Sequence, residues 1–166
     1  TIMVDGTVLS AKGNAKKALV GTPSSGPQAD DWDNEQWQAF IKKYQETFPP
    51  EKRFPSPSLL ATSYYNAADA AFSCLDKVNG DLSDGHKAYR QCLANIELDA
   101  PNGKITLDKN RQAIGSNFVF EVVENSDGSM GTTMVKKVDN VTQTLGDDEA
   151  EFRKLGAPSR DILKCD

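Results

Sequence analysis

The chain has 166 residues, of which 38% are hydrophobic and 26% charged, so it suits one globular domain and does not have a disordered profile. The net charge of -5 repels nucleic-acid backbones and anionic lipid, and neither is expected as a partner. No apolar run approaches the ~20 residues that cross a bilayer, and no signal peptide is recognisable. The opening TIMVD, without an initiator Met, suggests a processed product or a piece of something longer.

The first elements are short and irregular. Residues 1–4 and 18–22 are apolar runs bounded by Gly, Asp and Pro, which predict two buried strands. The segment between them, residues 8–18, has too little periodicity to assign. Residues 21–31 contain several prolines and glycines and are predicted to form a loop.

A strongly indicated helix follows this loop. Asp33 is a good N-cap and Gln36 completes a capping box, while Pro49 ends the pattern. Aromatic and aliphatic residues recur at helical spacing between these signals and form one apolar stripe: Trp37, Phe40, Ile41, Tyr44 and Phe48.

Two more helices are predicted downstream. Ser56 is the expected N-cap of the second, with Pro57 in its first turn and Gly80 at its end. Its apolar stripe is Leu60, Tyr64, Ala67, Ala68, Ala71, Leu75 and Val78. This stripe places Tyr64 on the packed face, whereas Tyr65 lies about 100° away. Ser83 is the expected N-cap of the third helix, which carries Tyr89, Cys92, Leu93 and Ile96 on one face.

The second half has the two-residue period of strands. Residues 96–108 predict two short strands around Pro-Asn-Gly, and residues 117–138 predict two longer strands around Asp127-Gly128. Residues 147–156 predict a short helix, and the tail after Pro158 is expected to be extended. The order indicates an α/β fold whose three long helices need more strands than the first half supplies, which suggests a missing part.

No catalytic apparatus is visible. His86 is the only histidine and is expected in an exposed helical turn after Ser83, without the setting of a hydrolytic triad. One histidine and no Cys-x-x-Cys pair exclude the common zinc patterns. Residues 79–85 fail as a calcium loop because Asp84 and Arg90 stand where Gly and Glu are needed. We therefore assign no catalytic residue, metal or cofactor, and binding remains the expected kind of function.

The three cysteines leave two readings open. Cys74 and Cys92 could form a disulfide if the helices that carry them are antiparallel neighbours, and Cys165 would then need a partner elsewhere. The alternative is three reduced, half-buried thiols.

Three stretches taken in order carry a family resemblance. They are VLSAKGNAKKALVGTPSSGPQADDWDNEQWQAFIKKYQETFPP, SYYNAADAA and LDAPNGKITLDKNRQAIGSNFVFEVV. Together they resemble the C-terminal half of type I periplasmic substrate-binding proteins, the Leu/Ile/Val-binding-like receptors of ABC transporters.

The resemblance implies a fragment, lacking the first half, of a protein with two Rossmann-like α/β lobes, hinge strands and ligand in the cleft. Residues 1–17 would be the remainder of the C-terminal lobe and residues 18–29 a hinge crossing. Residues 30–116 would be part of the N-terminal lobe, and residues 117–166 a hinge-returning hairpin, short helix and tail.

The implied function is that of a periplasmic solute-binding component, which captures a small carboxylate and delivers it to an ABC transporter permease. The ligand would be a branched-chain or other amino acid, or an aromatic or aliphatic acid. By resemblance, Tyr65 lies at the cleft with Tyr64 beside it, and Asp5 lies near the place of an acidic contact for a ligand amine. In this chain, TIMV precedes Asp5 in place of the family's usual Gly-Asp-Gly context. This difference weakens the expectation of an acidic contact for a ligand amine, so an aromatic or aliphatic acid without an amino group remains a candidate ligand.

Two other readings remain. The chain could be a non-catalytic fragment or interaction module of the same fold without ligand binding, or, with less support, an unrecognised enzyme. A fragment would leave sheet edges and helix faces uncovered, so its expected partner is the missing N-terminal half or a second copy of itself.

Overall fold

The computed structural model describes residues 3–156, a mixed α/β protein with an open sheet. Within these residues the helices are α1 (Gly13–Leu19), α2 (Glu35–Thr47), α3 (Leu59–Lys77), α4 (Lys87–Ala94) and α5 (Glu149–Lys154). The strands are β1 (Pro23–Gly26), β2 (Glu97–Ala100), β3 (Gly103–Leu107), β4 (Ala113–Glu124) and β5 (Met130–Val141). None of the described helices is long and apolar enough to cross a membrane.

Strand β4 organises the sheet. It pairs with β1, β3 and β5, and β2 extends the sheet through β3. Every pairing among the described strands is antiparallel, for example Ser24 opposite Phe120 and Leu98 opposite Ile105. The alternation along β4 buries Phe120 and Val122 and exposes Glu121 between them.

Both predicted hairpins and the short helix are confirmed. Strands β2 and β3 flank the Pro-Asn-Gly turn, and β4 and β5 flank the turn that contains Gly128 at φ 80°. Helix α5 begins after Asp148, whose carboxylate accepts hydrogen bonds from the N–H groups of Ala150 and Glu151. Local turn and cap chemistry was sufficient to predict these elements.

The first strands differ from the prediction. Ala18 and Leu19 end helix α1, and the strand begins at Pro23, inside the predicted loop. The residues before it already hydrogen-bond to β4, since the N–H of Gly21 donates to the carbonyl of Val122 and the N–H of Val122 donates to the carbonyl of Thr22. Residues 1 and 2 lie outside the described residues, and Met3 and Val4 are not in a strand. The apolar run at residues 18–22 therefore combines a helix end with the turn into β1.

The starts of three helices also lie downstream of the predicted caps. Asn34, not Asp33, caps α2 by accepting from the N–H of Trp37 at 3.1 Å. Ser58, not Ser56, caps α3. Helix α4 begins after His86, which has a left-handed backbone with φ 65°, and not after Ser83. For α2 and α3 the residue types of the caps agree with the prediction, but local sequence did not decide which of two neighbouring candidates is used. For α4 the residue type differs as well, since His86 makes no side-chain capping hydrogen bond.

Helix α3 buries a different face from the one predicted. Thr62, Asn66 and Cys74 are its buried residues. The apolar stripe is largely open to solvent, with Leu60 68% and Tyr64 75% exposed. The expectation that Tyr64 is packed is therefore wrong for this chain, because the β2–β3 hairpin and α4 lie against the opposite side of the helix.

The Cys74–Cys92 disulfide is confirmed. It joins α3 to α4, with Cα atoms 5.7 Å apart, and Cys74 is fully buried. It lies in a core cluster with Ile96, Leu98 and Ala100. A second cluster, which includes Phe118, Phe120 and Val122, lies around β4. The predicted extended tail and Cys165 are outside the described residues.

Candidate functional site

The main candidate site is a cavity of about 730 Å³ beside helix α3, hereafter the α3 cavity. Its walls come from α3, α4, the β2–β3 hairpin, the start of β4, the end of β5 and α5. Much of the lining is apolar and includes Leu93, Ile96, Leu98, Ile105 and Leu107. A mainly apolar cavity of this size fits a small organic molecule.

A chain of two side-chain amides lies in the wall of the α3 cavity. Asn66 Nδ2 donates to Asn102 Oδ1 at 2.8 Å, and Asn102 Nδ2 donates to the carbonyl of Pro27 at 3.0 Å. Both side chains are buried, each with 8% exposure. The remaining side-chain polar atom of this amide pair, Asn66 Oδ1, is buried and has no hydrogen-bond partner.

A second cavity of about 680 Å³ adjoins the first and shares Thr142, Gln143 and Phe152 with it. It contains Lys109 and Arg153, and each forms an ion pair at 2.6 Å with the carboxylate of Glu149. The hydrogen bond from Lys109 lowers the pKa of Glu149, with a further contribution from Arg153. Both cations thus already have an anionic partner.

The tyrosine pair lies away from both cavities. Tyr65 lines a shallow pocket of about 280 Å³ together with Lys43 and Asp99, and its ring packs on Phe40 at a centroid distance of 4.8 Å. Tyr64, the residue before it in sequence, extends from the solvent-exposed side of α3. The two tyrosines therefore face different surroundings, as helical spacing predicts.

Asp5 fixes the start of helix α3. Its Oδ1 accepts from the N–H and hydroxyl of Thr7, and its Oδ2 accepts from the N–H of Leu59 at 2.8 Å. Burial acts to raise the pKa of Asp5, but the hydrogen bonds from Thr7 and Leu59 outweigh it and the pKa is lowered. Both oxygens thus have structural partners, and the role expected of Asp5 at a ligand amine stays a prediction.

Asp30 lies near Asp5 and was not singled out by the sequence. Burial raises its pKa to about 6, the Ser56 hydroxyl opposes the rise, and the charges of Asp31 and Asp5 add to it. Its backbone N–H donates to the hydroxyl of Thr132 at 2.9 Å. This group is therefore protonated more readily than an ordinary aspartate.

The predicted site residues do not surround one cavity. Asp5 lies at the start of α3, Tyr65 borders the shallow pocket, and Tyr64 is exposed. Neither Asn66 nor Asn102 was predicted from the sequence to be a site residue, although Asn66 directly follows the tyrosines in an alanine-rich helix. A polar amide among alanines was the one available signal, while Asn102 was accounted for by its turn. Among residues 3–156, no cluster of three potential metal-ligating side chains is present.

No family model matches the chain. No curated protein matches it by sequence.

Solved structures do match. An ABC transporter substrate-binding protein from Sphaerobacter thermophilus has a TM-score of 0.70 and 16% identity over 81% of this chain and 34% of that chain. An R. palustris solute-binding protein of an ABC transporter, in complex with benzoate, has a TM-score of 0.62 and 18% identity over 76% of this chain and 32% of that chain. The leucine-binding protein LivK from Thermotoga maritima has a TM-score of 0.55 and 19% identity over 76% of this chain and 33% of that chain.

These matches confirm the expected fold. The described chain has the architecture of part of a type I periplasmic substrate-binding protein. It spans about a third of the length of the solved structures that it matches. At identities below 20% the likeness concerns the fold, and function has to be argued separately.

Proposed function

We propose that the chain is part of an extracytoplasmic solute-binding component of an ABC transporter, a non-catalytic protein that captures a small carboxylate for uptake. The observation that carries this proposal is the fold shared over 81% of the chain with an ABC transporter substrate-binding protein. The α3 cavity adds support, since reversible binding needs an apolar cavity with a few polar groups and no reactive side chain.

The division of the chain follows from the same proposal. Residues 1–17 belong to the C-terminal lobe, residues 18–29 cross the hinge, residues 30–116 belong to the N-terminal lobe, and residues 117–166 return across the hinge. The pairing of β1 with β4 supports it, because two neighbouring antiparallel strands suit two chain crossings between lobes.

The ligand class rests on two kinds of relatives. Matching structures include one in complex with benzoate and one described as a leucine-binding protein. An amino acid and an aromatic acid are therefore both candidates. Tyr65 at the shallow pocket, with Tyr64 as its neighbour and Asp5 at the start of α3, is the proposed contribution of this chain to the cleft.

The proposed location is the periplasm, with a transporter permease as partner. The Cys74–Cys92 disulfide supports an oxidising compartment outside the cytoplasm, where such bonds persist.

The remainder of a longer two-lobed protein is a further proposed partner. Large apolar side chains of α3 are exposed, including Leu60, Tyr64 and Phe72. Such a patch marks an interaction surface. Intact mass compared with the encoded gene tests for a longer protein. Light scattering of the 166-residue chain tests the alternative, a homodimer.

A ligand panel tests the binding function. The thermal unfolding midpoint of the full-length protein is measured with leucine, isoleucine, valine, benzoate and 4-hydroxybenzoate. At least one should raise the midpoint by several degrees, because a ligand that binds only the folded state stabilises it. A flat response to the whole panel would contradict the proposal.

The matched variants Tyr65→Phe and Tyr64→Phe then test the tyrosines. Affinity for the stabilising ligand should fall most in Tyr65→Phe and less in Tyr64→Phe, because the side chain of Tyr64 is 75% exposed. Unchanged affinity in both would remove the polar role of Tyr65.

A further inference from the structure

Helix α3 has an apolar face that no described segment covers, hereafter the open α3 face. Its members fall within an arc of about 120° on the helix: Leu60, Tyr64, Ala68, Ala71, Phe72 and Leu75. The three largest exposed side chains are Leu60 at 68%, Tyr64 at 75% and Phe72 at 68%. Helix α4 and strand β2 contact α3 from other sides. A large apolar surface therefore remains in water.

The side chains of the open α3 face are ordered symmetrically along the helix. The large residues Tyr64 and Leu75 flank two small ones, Ala68 and Ala71. A second copy of α3, running antiparallel, could approach closely over the alanines, which allow the short interaxial distance of about 8 Å. In that arrangement Tyr64 of each copy lies opposite Leu75 of the other. The face is therefore complementary to itself, as a two-fold interface requires.

Charge does not oppose the pairing of two such faces. No member of the open α3 face carries a charge. The acidic residues of the second half of α3, Asp69 and Asp76, lie at least about 100° from the centre of the face. Two paired faces would thus bring no like charges together and would bury no ionised group of this face.

The area of the open α3 face suits a weak dimer. Its three exposed large side chains present roughly 500 Å² per copy, so pairing buries on the order of 1,000 Å² in total. Specific interfaces begin at about this size, and typical stable ones bury about 1,600 Å².

We propose that the 166-residue chain forms a two-fold dimer in which the open α3 faces of two copies pair antiparallel. The dimer is weak, with a dissociation constant on the order of 10 μM, and at about 1 μM the chain is mostly monomeric. The inference goes beyond the solute-binding function and does not depend on it. The remainder of a longer protein would compete for the same face, so the dimer belongs to the chain without that remainder.

Sedimentation equilibrium of the 166-residue chain tests the dimer. Between about 1 and 200 μM, the average mass should rise from that of one chain towards that of two, because the range brackets the expected dissociation constant. A mass of one chain throughout, or assemblies of more than two copies, would overturn the proposal.

Two matched substitutions locate the interface. Ala68→Glu puts a carboxylate at the centre of the open α3 face and should weaken the dimer at least about tenfold, since two buried like charges would meet. Ala88→Glu makes the same change at an exposed position of α4 and should leave the dissociation constant unchanged. An equal effect of the two substitutions would place the interface elsewhere and overturn the proposal. Circular dichroism verifies that both variants fold.

Cross-linking tests the antiparallel register and decides the question even if Ala68→Glu does not fold. Tyr64→Cys and Leu75→Cys are made as separate proteins, each with Cys165→Ser. In the antiparallel pair, position 64 meets position 75 of the other copy, whereas each position lies about 16 Å along the axis from its own copy. A disulfide needs Cα atoms within about 7 Å. Mild oxidation should therefore link the mixture and neither protein alone, and any other pattern would overturn the proposed pairing.

The outcome separates this inference from the transport function. A monomeric chain from a protein that responds to the ligand panel would refute the dimer and leave the solute-binding function intact. A dimer without a response to any ligand would do the reverse.

Discussion

The ring of Tyr65 packs on the ring of Phe40 at a centroid distance of 4.8 Å, while Tyr64, one residue earlier, is 75% exposed. The contact joins helix α3 to helix α2. In the 166-residue chain, Tyr65→Ala should lower the free energy of unfolding by about 1–2 kcal/mol through loss of aromatic packing. Urea denaturation measures the change.

Tyr64→Ala is the matched control for this contact. It should change the free energy of unfolding by less than about 0.5 kcal/mol, because an exposed side chain loses few contacts. Equal losses in the two variants would contradict the packing described here.

The Cys74–Cys92 disulfide closes a loop between α3 and α4 with a sequence separation of 18. Replacing both cysteines by alanine should cost about 2–4 kcal/mol, because the unfolded chain is no longer restrained. Urea denaturation with and without reductant measures it. Reductant should destabilise the unmodified protein and leave the double variant unchanged, and an equal response of the two proteins would count against the bridge.

Asp30 gives stability an unusual pH dependence. Its pKa is raised from 3.8 to about 6, so the folded state favours the protonated carboxyl group. This contribution is fully present below about pH 4 and is lost as the pH rises through 6. Asp30→Asn lacks this contribution, so the variant's free energy of unfolding relative to the unmodified protein should rise by about 2 kcal/mol between pH 4 and 7.

Chemical denaturation at several pH values measures this difference. Asp31→Asn provides a second check, because the charge of Asp31 helps to raise the pKa of Asp30 and its removal should reduce the pH dependence. A stability difference between Asp30→Asn and the unmodified protein that stays constant with pH would show that Asp30 titrates normally.

Asn102 should contribute to stability through the hydrogen bonds that it makes to Asn66 and Pro27. Asn102→Ala leaves a buried NH₂ group and a carbonyl without their partners, which should cost about 1–3 kcal/mol. Asn110→Ala, at an exposed position, is the control and should change stability by less than about 0.5 kcal/mol. A negligible loss in Asn102→Ala would refute the amide chain.

The site residues show how far local reasoning reaches. The separation of Tyr64 from Tyr65 followed from helical geometry alone. Asn66 and Asn102 are 36 positions apart in sequence, and nothing local to either indicates that they meet. A buried acceptor in a cavity wall exists only once α3 and the β2–β3 hairpin are packed together.

The position of the first strand was also decided by a contact with a distant segment. The apolar run at residues 18–22 predicted a strand by composition, yet the strand is Pro23–Gly26. Its position is decided by the pairing of Ser24 with Phe120, far along the chain. Backbone hydrogen bonding to a distant partner outweighs local strand propensity.

By itself, the sequence determined helix α2, both hairpins, helix α5 and the α/β class, because caps, turns and periodicity depend on residues within a few positions of each other. Only the tertiary structure decided between the disulfide and free thiols, the buried face of α3 and the α3 cavity. Those features depend on which segments meet across the fold, since a helix buries the face that its neighbours cover, even where another face is more apolar.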